Sequence, residues 1–176
     1  MLKRREFICT ALLAILTPTS FSMSIKAAEN PDFNGIWVLD RNKSVNLPPI
    51  FKNLKEFLLI IKQDNKSITL STEIQGQNQT ISTEPDTFPI DGTTVEKNDS
   101  RGFKQKRSFR FGENNSLSVE TEKVFTGQIQ MENTSEQESW NISEEGKVLT
   151  ITISSKKAEA SMQQVRVFTK KTQNGI

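Results

Sequence analysis

From residue 36 to residue 170, apolar and polar side chains alternate with a period of two, broken at short intervals by Gly, Asn, Asp and Pro. That period puts successive side chains on opposite faces of an extended chain, so it demands strands with one apolar face each. A first strand is expected at 36–40. Phe57, Leu59 and Ile61 then share a face. After an Asp64-Asn65-Lys66 turn, Ile68, Leu70, Thr72 and Ile74 answer them as the second half of a hairpin. A weaker strand starts at Gln79, Ile81 and Thr83, Pro85 and Pro89 interrupt it, and Ile90-Asp91-Gly92-Thr93 reads as a turn. Phe103, Gln105, Arg107, Phe109 and Phe111 share one face, and Leu117, Val119, Thr121, Lys123 and Phe125 form the return face. A mostly polar strand at 129–142 ends in Trp140 and Ile142. Leu149, Ile151 and Ile153 follow it across a Gly146 turn, and 162–170 is the last strand. The only helical candidate is 51–55. Roughly eight to ten strands joined by short turns predict an all-β fold, a single antiparallel up-and-down β-barrel. Closure also removes the sheet edges that an open meander would expose.

The first 27 residues read as an export signal and stand apart from this pattern. Lys3, Arg4 and Arg5 form a positive segment, and residues 7–16 form an apolar run of ten, shorter than the roughly 20 residues of a membrane-spanning helix. Ile25 and Ala27 suit a small-residue cleavage site, placing the cut after Ala27; a cut after Ser22 or Ser24 also fits. Lys3-Arg4-Arg5-Glu6-Phe7-Ile8 resembles a bacterial twin-arginine signal, with an ordinary secretory segment as the alternative. The expected location is therefore periplasmic or secreted. The expected domains are a signal at 1–27 and one barrel at 28–176. No later apolar run is long enough for a transmembrane segment. The single cysteine, Cys9, lies inside the signal, so the remaining chain has no disulfide.

Composition removes whole classes of chemistry. The chain has no His and no Tyr, and the mature part has no Cys. Triads built on Ser-His-Asp or Cys-His cannot form, and neither can zinc sites of the His or Cys type. Haem would have only Met as an axial ligand. Acid–base work would fall to Asp, Glu or Lys, and no carboxylate pair sits in an apolar sequence setting. The expectation is a protein that is not an enzyme, with no catalytic residues, no metal and no cofactor. The whole-chain net charge of +2 comes from the signal; beyond it, acids exceed bases by one. A near-neutral domain gives no reason to expect nucleic-acid binding.

Just past the signal stands Asp32-Phe33-Asn34-Gly35-Ile36-Trp37. Gly35 allows a tight turn or a close backbone approach, and Trp37 can plug the narrow end of a barrel with one large ring. With Leu39-Asp40 and Lys43-Ser44, and with Trp140, Ser143, Gly146-Lys147 and Leu149-Thr150 in the later hairpin, the chain resembles the bacterial lipocalin-like family of the calycin group. The resemblance implies a small exported barrel. It also implies an Arg from the end of the barrel over the ring of the first-strand Trp, for which Arg166 is the candidate. The usual lipocalin disulfide and the Arg-x-Tyr carboxylate anchor of fatty-acid-binding proteins are missing.

Among the basic residues of 101–110, Lys104, Lys106 and Arg110 share one face with Ser108, as a solvated outer wall would. Arg107 shares the face of Phe103 and Phe109, and Lys123 shares that of Leu117 and Val119. An inward base must be paired with an acid or meet a ligand head group. The expected site is therefore Arg107 aided by Lys123, with Phe103, Phe109, Leu117 and Val119 as the wall and the 48–54 loop as a lid. Gly35, Trp37, Arg166 and Trp140 are expected to be structural. Leu58 and Ile60 form a second apolar face, read as covered by the same loop, with a partner surface as the alternative. Two functions remain open: a barrel binding a small hydrophobic or amphipathic ligand, or a periplasmic protein-interaction module resembling a protease inhibitor.

Overall fold

The computed structural model describes residues 30–98, 103–112, 116–125, 133–143, 145–157 and 160–172. The expected signal and its cleavage point lie outside the described residues. Eleven antiparallel strands form one sheet: β1 (Gly35–Leu39), β2 (Glu56–Gln63), β3 (Ser67–Gln75), β4 (Thr80–Ser82), β5 (Asp86–Pro89), β6 (Val95–Asn98), β7 (Phe103–Phe111), β8 (Leu117–Phe125), β9 (Thr134–Ile142), β10 (Val148–Lys157) and β11 (Ala160–Lys170). The ladder runs β4-β3-β2-β1-β11-β10-β9-β8-β7-β6, with β5 also paired to β3. Nearly every strand neighbours the next in sequence, and β1 beside β11 joins the two ends of the chain. The architecture is an all-β, up-and-down barrel.

Strand boundaries follow the alternation closely, save in one stretch. Residues 80–98 hold three short strands because the segment changes partners. β4 and β5 lie on β3 either side of Pro85, which has no N–H to give a ladder. Asp91 then bridges to Arg110, the Gly92 N–H donates to the Phe109 carbonyl at 2.8 Å, and β6 lies on β7. The expected turn at 90–93 is thus the point where the segment crosses from β3 to β7 and draws that end of the barrel shut. The helical candidate is a single 3-10 turn, Pro49–Asn53.

The interior divides into two halves. Toward the shut end, Phe33, Trp37, Phe109, Leu117, Val119, Leu149 and Phe168 are buried almost completely. Trp37 donates from Nε1 to the Phe33 carbonyl at 2.9 Å, so its one polar atom is satisfied within the core. At Gly35 the backbone takes φ 143°, and a Cβ would stand 2.6 Å from Cε of Lys170. The close approach expected there is thus made by a side chain rather than by a backbone. Gly35 leaves room for the Lys170 stem, whose ammonium lies 5.2 Å from the centre of a Trp37 ring.

That cation replaces the expected one. Arg166 does not lie over Trp37. The β1–β11 register sets Lys170 opposite Trp37, while Arg166 pairs with Ile151 four residues nearer the other end of β11. Four strand residues span roughly 13 Å, beyond the reach of the guanidinium. On the outer face Leu58 is buried and Ile60 half-buried.

Candidate functional site

Toward the other end the inward positions turn polar. Alternation along β7, β8, β9 and β11 brings Arg107, Thr121, Lys123, Glu136, Glu138, Gln164 and Arg166 to the same side of the sheet as the core. The Arg107 guanidinium lies 5.0 Å from the ring centre of Phe109 and 5.3 Å from that of Phe88. Its Nε donates to Thr121 Oγ1 at 3.2 Å, and Nη2 stands 3.5 Å from Glu138 Oε1. The other oxygen of Glu138 accepts from Trp140 Nε1 at 2.7 Å. Trp140 therefore does two things: its ring packs in the core and its N–H fixes a half-buried carboxylate. Lys123 pairs with Glu136 at 3.5 Å.

Arg166 is half-buried on the same side of the sheet. Nη2 donates to Gln164 Oε1 at 3.1 Å, and the ring of Phe51, carried in by the 3-10 turn, lies 5.3 Å from the guanidinium carbon. Phe51 also meets the Phe57 ring edge-on at 5.3 Å. Burial lowers the Arg166 pKa from its usual value, and the charges of Glu138 and Glu136 act the other way. A guanidinium remains protonated under such a shift.

Against this polar layer lies a cavity of about 270 Å³. Phe57, Leu59, Leu70, Ile151 and Phe168 supply its apolar wall; Arg107, Glu138, Arg166 and Trp140 supply its polar side. Thr83, Glu84 and Asp86 line it on the flank where β4 and β5 face β6 and β7. There Asp86 is ion-paired with Lys97.

The expected site residues are divided by this geometry. Arg107 faces the cavity with an acid of the chain already beside it, and Lys123 is likewise paired. Phe109, Leu117 and Val119 pack the shut half instead of lining the cavity. Each is fully buried, because the closing strand segment and Phe88 press on that wall. Phe103 begins β7, and its side chain lies outside the described residues. The 48–54 segment sets Phe51 against Arg166 and Phe57, and none of its residues is among those lining the cavity. Sequence reasoning missed Glu138 and the cavity side of Arg166. Glu138 shares its face with Trp140 and Ile142, and that shared parity was the available signal. Among the described residues no group of three or more Cys, Asp or Glu side chains is placed to hold a metal ion. No described helix is long and apolar enough to cross a membrane.

No protein-family model matches the sequence, and no curated protein is significantly similar to it. Among solved structures, the crystal structure of zebrafish ileal bile acid-binding protein complexed with cholic acid is similar to this chain. It shows 17% identity and a TM-score of 0.49, with 79% of this chain and 98% of that chain covered. The architecture stands on the strand pairing of this chain itself, not on that likeness.

Proposed function

We propose that this chain is an exported, lipocalin-like barrel that binds one small amphipathic ligand in its interior and carries out no catalysis. The observation that supports this reading is the cavity of about 270 Å³, walled by Phe57, Leu59, Leu70, Ile151 and Phe168 and ending on a layer of charged groups. Ligand sites of this kind are mostly apolar with a few convergent polar groups, and they start near 300 Å³. A cavity near that lower limit suits one compact ligand. In this reading Arg107 and Glu138 form the floor of the polar end, with Lys123 and Glu136 beside them.

A second reading, a protein-interaction module, draws support from exposed apolar side chains near the same end. Ile50, Ile81 and Met162 are each at least half exposed. Isolated apolar residues are ordinary on surfaces, whereas this pocket brings an apolar wall and convergent charged groups together, so the ligand reading is preferred.

Native mass spectrometry of protein purified from its own host tests the choice. A bound small molecule is expected on the wild type and not on Ile151→Phe, in which a larger ring fills the cavity. An Ile151→Phe protein that folds and still carries the same molecule would place the ligand elsewhere.

A further inference from the structure

We infer that a groove on the outside of the shut end binds an acidic sugar, a uronate or another carboxylate-bearing saccharide. The groove has a volume of about 860 Å³ and shares no lining residue with the interior cavity. It lies where the chain crosses from β3 to β7. Pro89, Ile90 and Phe111 give it an apolar strip, and the Phe111 ring packs on that of Phe33 at 6.2 Å. Asn30 and Asn65 add amides to its rim. A second hollow of about 370 Å³ shares Asn30, Asn65 and Ile90 with it, so the two adjoin.

Lys66 and Arg110 line the same groove, and both are exposed. Among the described residues, neither the Lys66 ammonium nor the Arg110 guanidinium has a hydrogen bond or an ion pair. Lys43, Lys97, Lys104, Lys123 and Lys147, by contrast, each meet an acid. The Arg110 guanidinium is nonetheless held in place. Gly92 takes φ 91°, and a Cβ there would stand 2.7 Å from both Nε and Nη2 of Arg110. Gly92 thus seats the guanidinium against the backbone of the crossing. The nearby acids turn to the chain itself. Asp64 accepts from the N–H groups of Lys66 and Ser67, both at 2.7 Å, and Asp91 from that of Thr93 at 2.8 Å. The charge of Lys66 is the least of the causes that lower the Asp64 pKa.

Each part of this lining selects a different group. Lys66 and Arg110 only donate, and an anion is their strongest acceptor. The Asp91 carboxylate, exposed on the same groove, only accepts and calls for a donor such as a hydroxyl. The apolar strip calls for a face without polar atoms. A uronate carries all three: a carboxylate, ring hydroxyls and a C–H face. A simple anion lacks the last two, and a fatty acid lacks the hydroxyls.

The test titrates the purified full chain calorimetrically, at neutral pH and low salt, with three probes. These are trigalacturonate, the uncharged galactotriose of the same linkage, and propane-1,2,3-tricarboxylate, which has three carboxylates and no sugar ring. Trigalacturonate is expected to bind with a Kd below about 1 mM, at least about fivefold tighter than either of the others. Arg110→Gln and Lys66→Gln should each weaken trigalacturonate by about threefold or more and leave galactotriose unchanged. Lys62→Gln, an exposed lysine outside the groove, should keep trigalacturonate within about twofold of wild type. The wild-type comparison needs no variant to fold. Tricarboxylate binding as tightly as trigalacturonate would overturn the inference, leaving a patch for any anion. Galactotriose binding as tightly would overturn the role of the two cations. Binding of none of the three would overturn the groove as a site and leave the reading of the interior cavity standing. Trigalacturonate bound undiminished by a folded Lys66→Gln/Arg110→Gln double variant would place the sugar elsewhere and overturn the inference too.

Discussion

Glu138 is bonded to Trp140 Nε1, paired with Arg107 and felt by Arg166, so removing it disturbs three groups at once. Removing Arg107 disturbs two, Glu138 and the Thr121 hydroxyl. Breaking a buried pair from one side costs about 3–5 kcal/mol, because the other charge is left stranded. The side chains of Glu138 and Arg107 keep 12% and 21% of their exposure, so the lower part of that range applies. For Glu138→Leu we expect a loss of about 3 kcal/mol, of which the orphaned indole N–H supplies about 1. For Arg107→Leu we expect only about 1 kcal/mol. Glu138 then keeps the Trp140 hydrogen bond and the charge of Arg166, and the leucine fits between Phe88 and Phe109. The double variant should fall short of the sum of the singles by about 1 kcal/mol or more, the signature of a direct interaction. Urea unfolding measures all three, with an unchanged slope as the condition for comparing midpoints. Arg107→Leu costing as much as Glu138→Leu would refute the idea that Arg166 shares the carboxylate. Strict additivity would show that the 3.5 Å pair does not interact.

Gly35→Ala should cost about 2–4 kcal/mol, from backbone strain at φ 143° and displacement of the Lys170 stem. Lys170→Ala alone should cost under about 1 kcal/mol, and combining it with Gly35→Ala should recover only the steric part, as thermal and urea unfolding of the pair would show. Asp64 lies below its usual 3.8, chiefly through the backbone N–H groups of Lys66 and Ser67 and the Ser67 hydroxyl. A carboxylate depressed in the folded state contributes stability that is present above its unfolded pKa and lost as pH falls through the folded value. Acid unfolding curves should therefore show wild type losing stability below about pH 4, with Asp64→Asn flatter over that window.

The strand pattern was legible because period-two alternation is a local property. β2, β3, β7 and β8 carry it plainly, and their registers follow from short turns. β6 escaped notice because Val95-Glu96-Lys97-Asn98 has no apolar alternation; it is a strand because the edge of β7 offers it hydrogen bonds. β5 was hidden behind Pro85 and Pro89 for a similar reason: its state is set by β3, not by its own residues. In the site, alternation alone set Arg107 and Lys123 on inward faces, since parity along one strand needs no knowledge of any other. Which acid meets which base is a different matter. Glu138 finds Arg107 across β8, a pairing fixed by two successive registers. Lys170 rather than Arg166 reaches Trp37 because closure sets β1 against β11 at a particular offset, and the chain between them is more than a hundred residues long. Local sequence thus determined which way each side chain points, and the tertiary structure decided what it meets, because partners on distant strands are chosen only when the barrel closes.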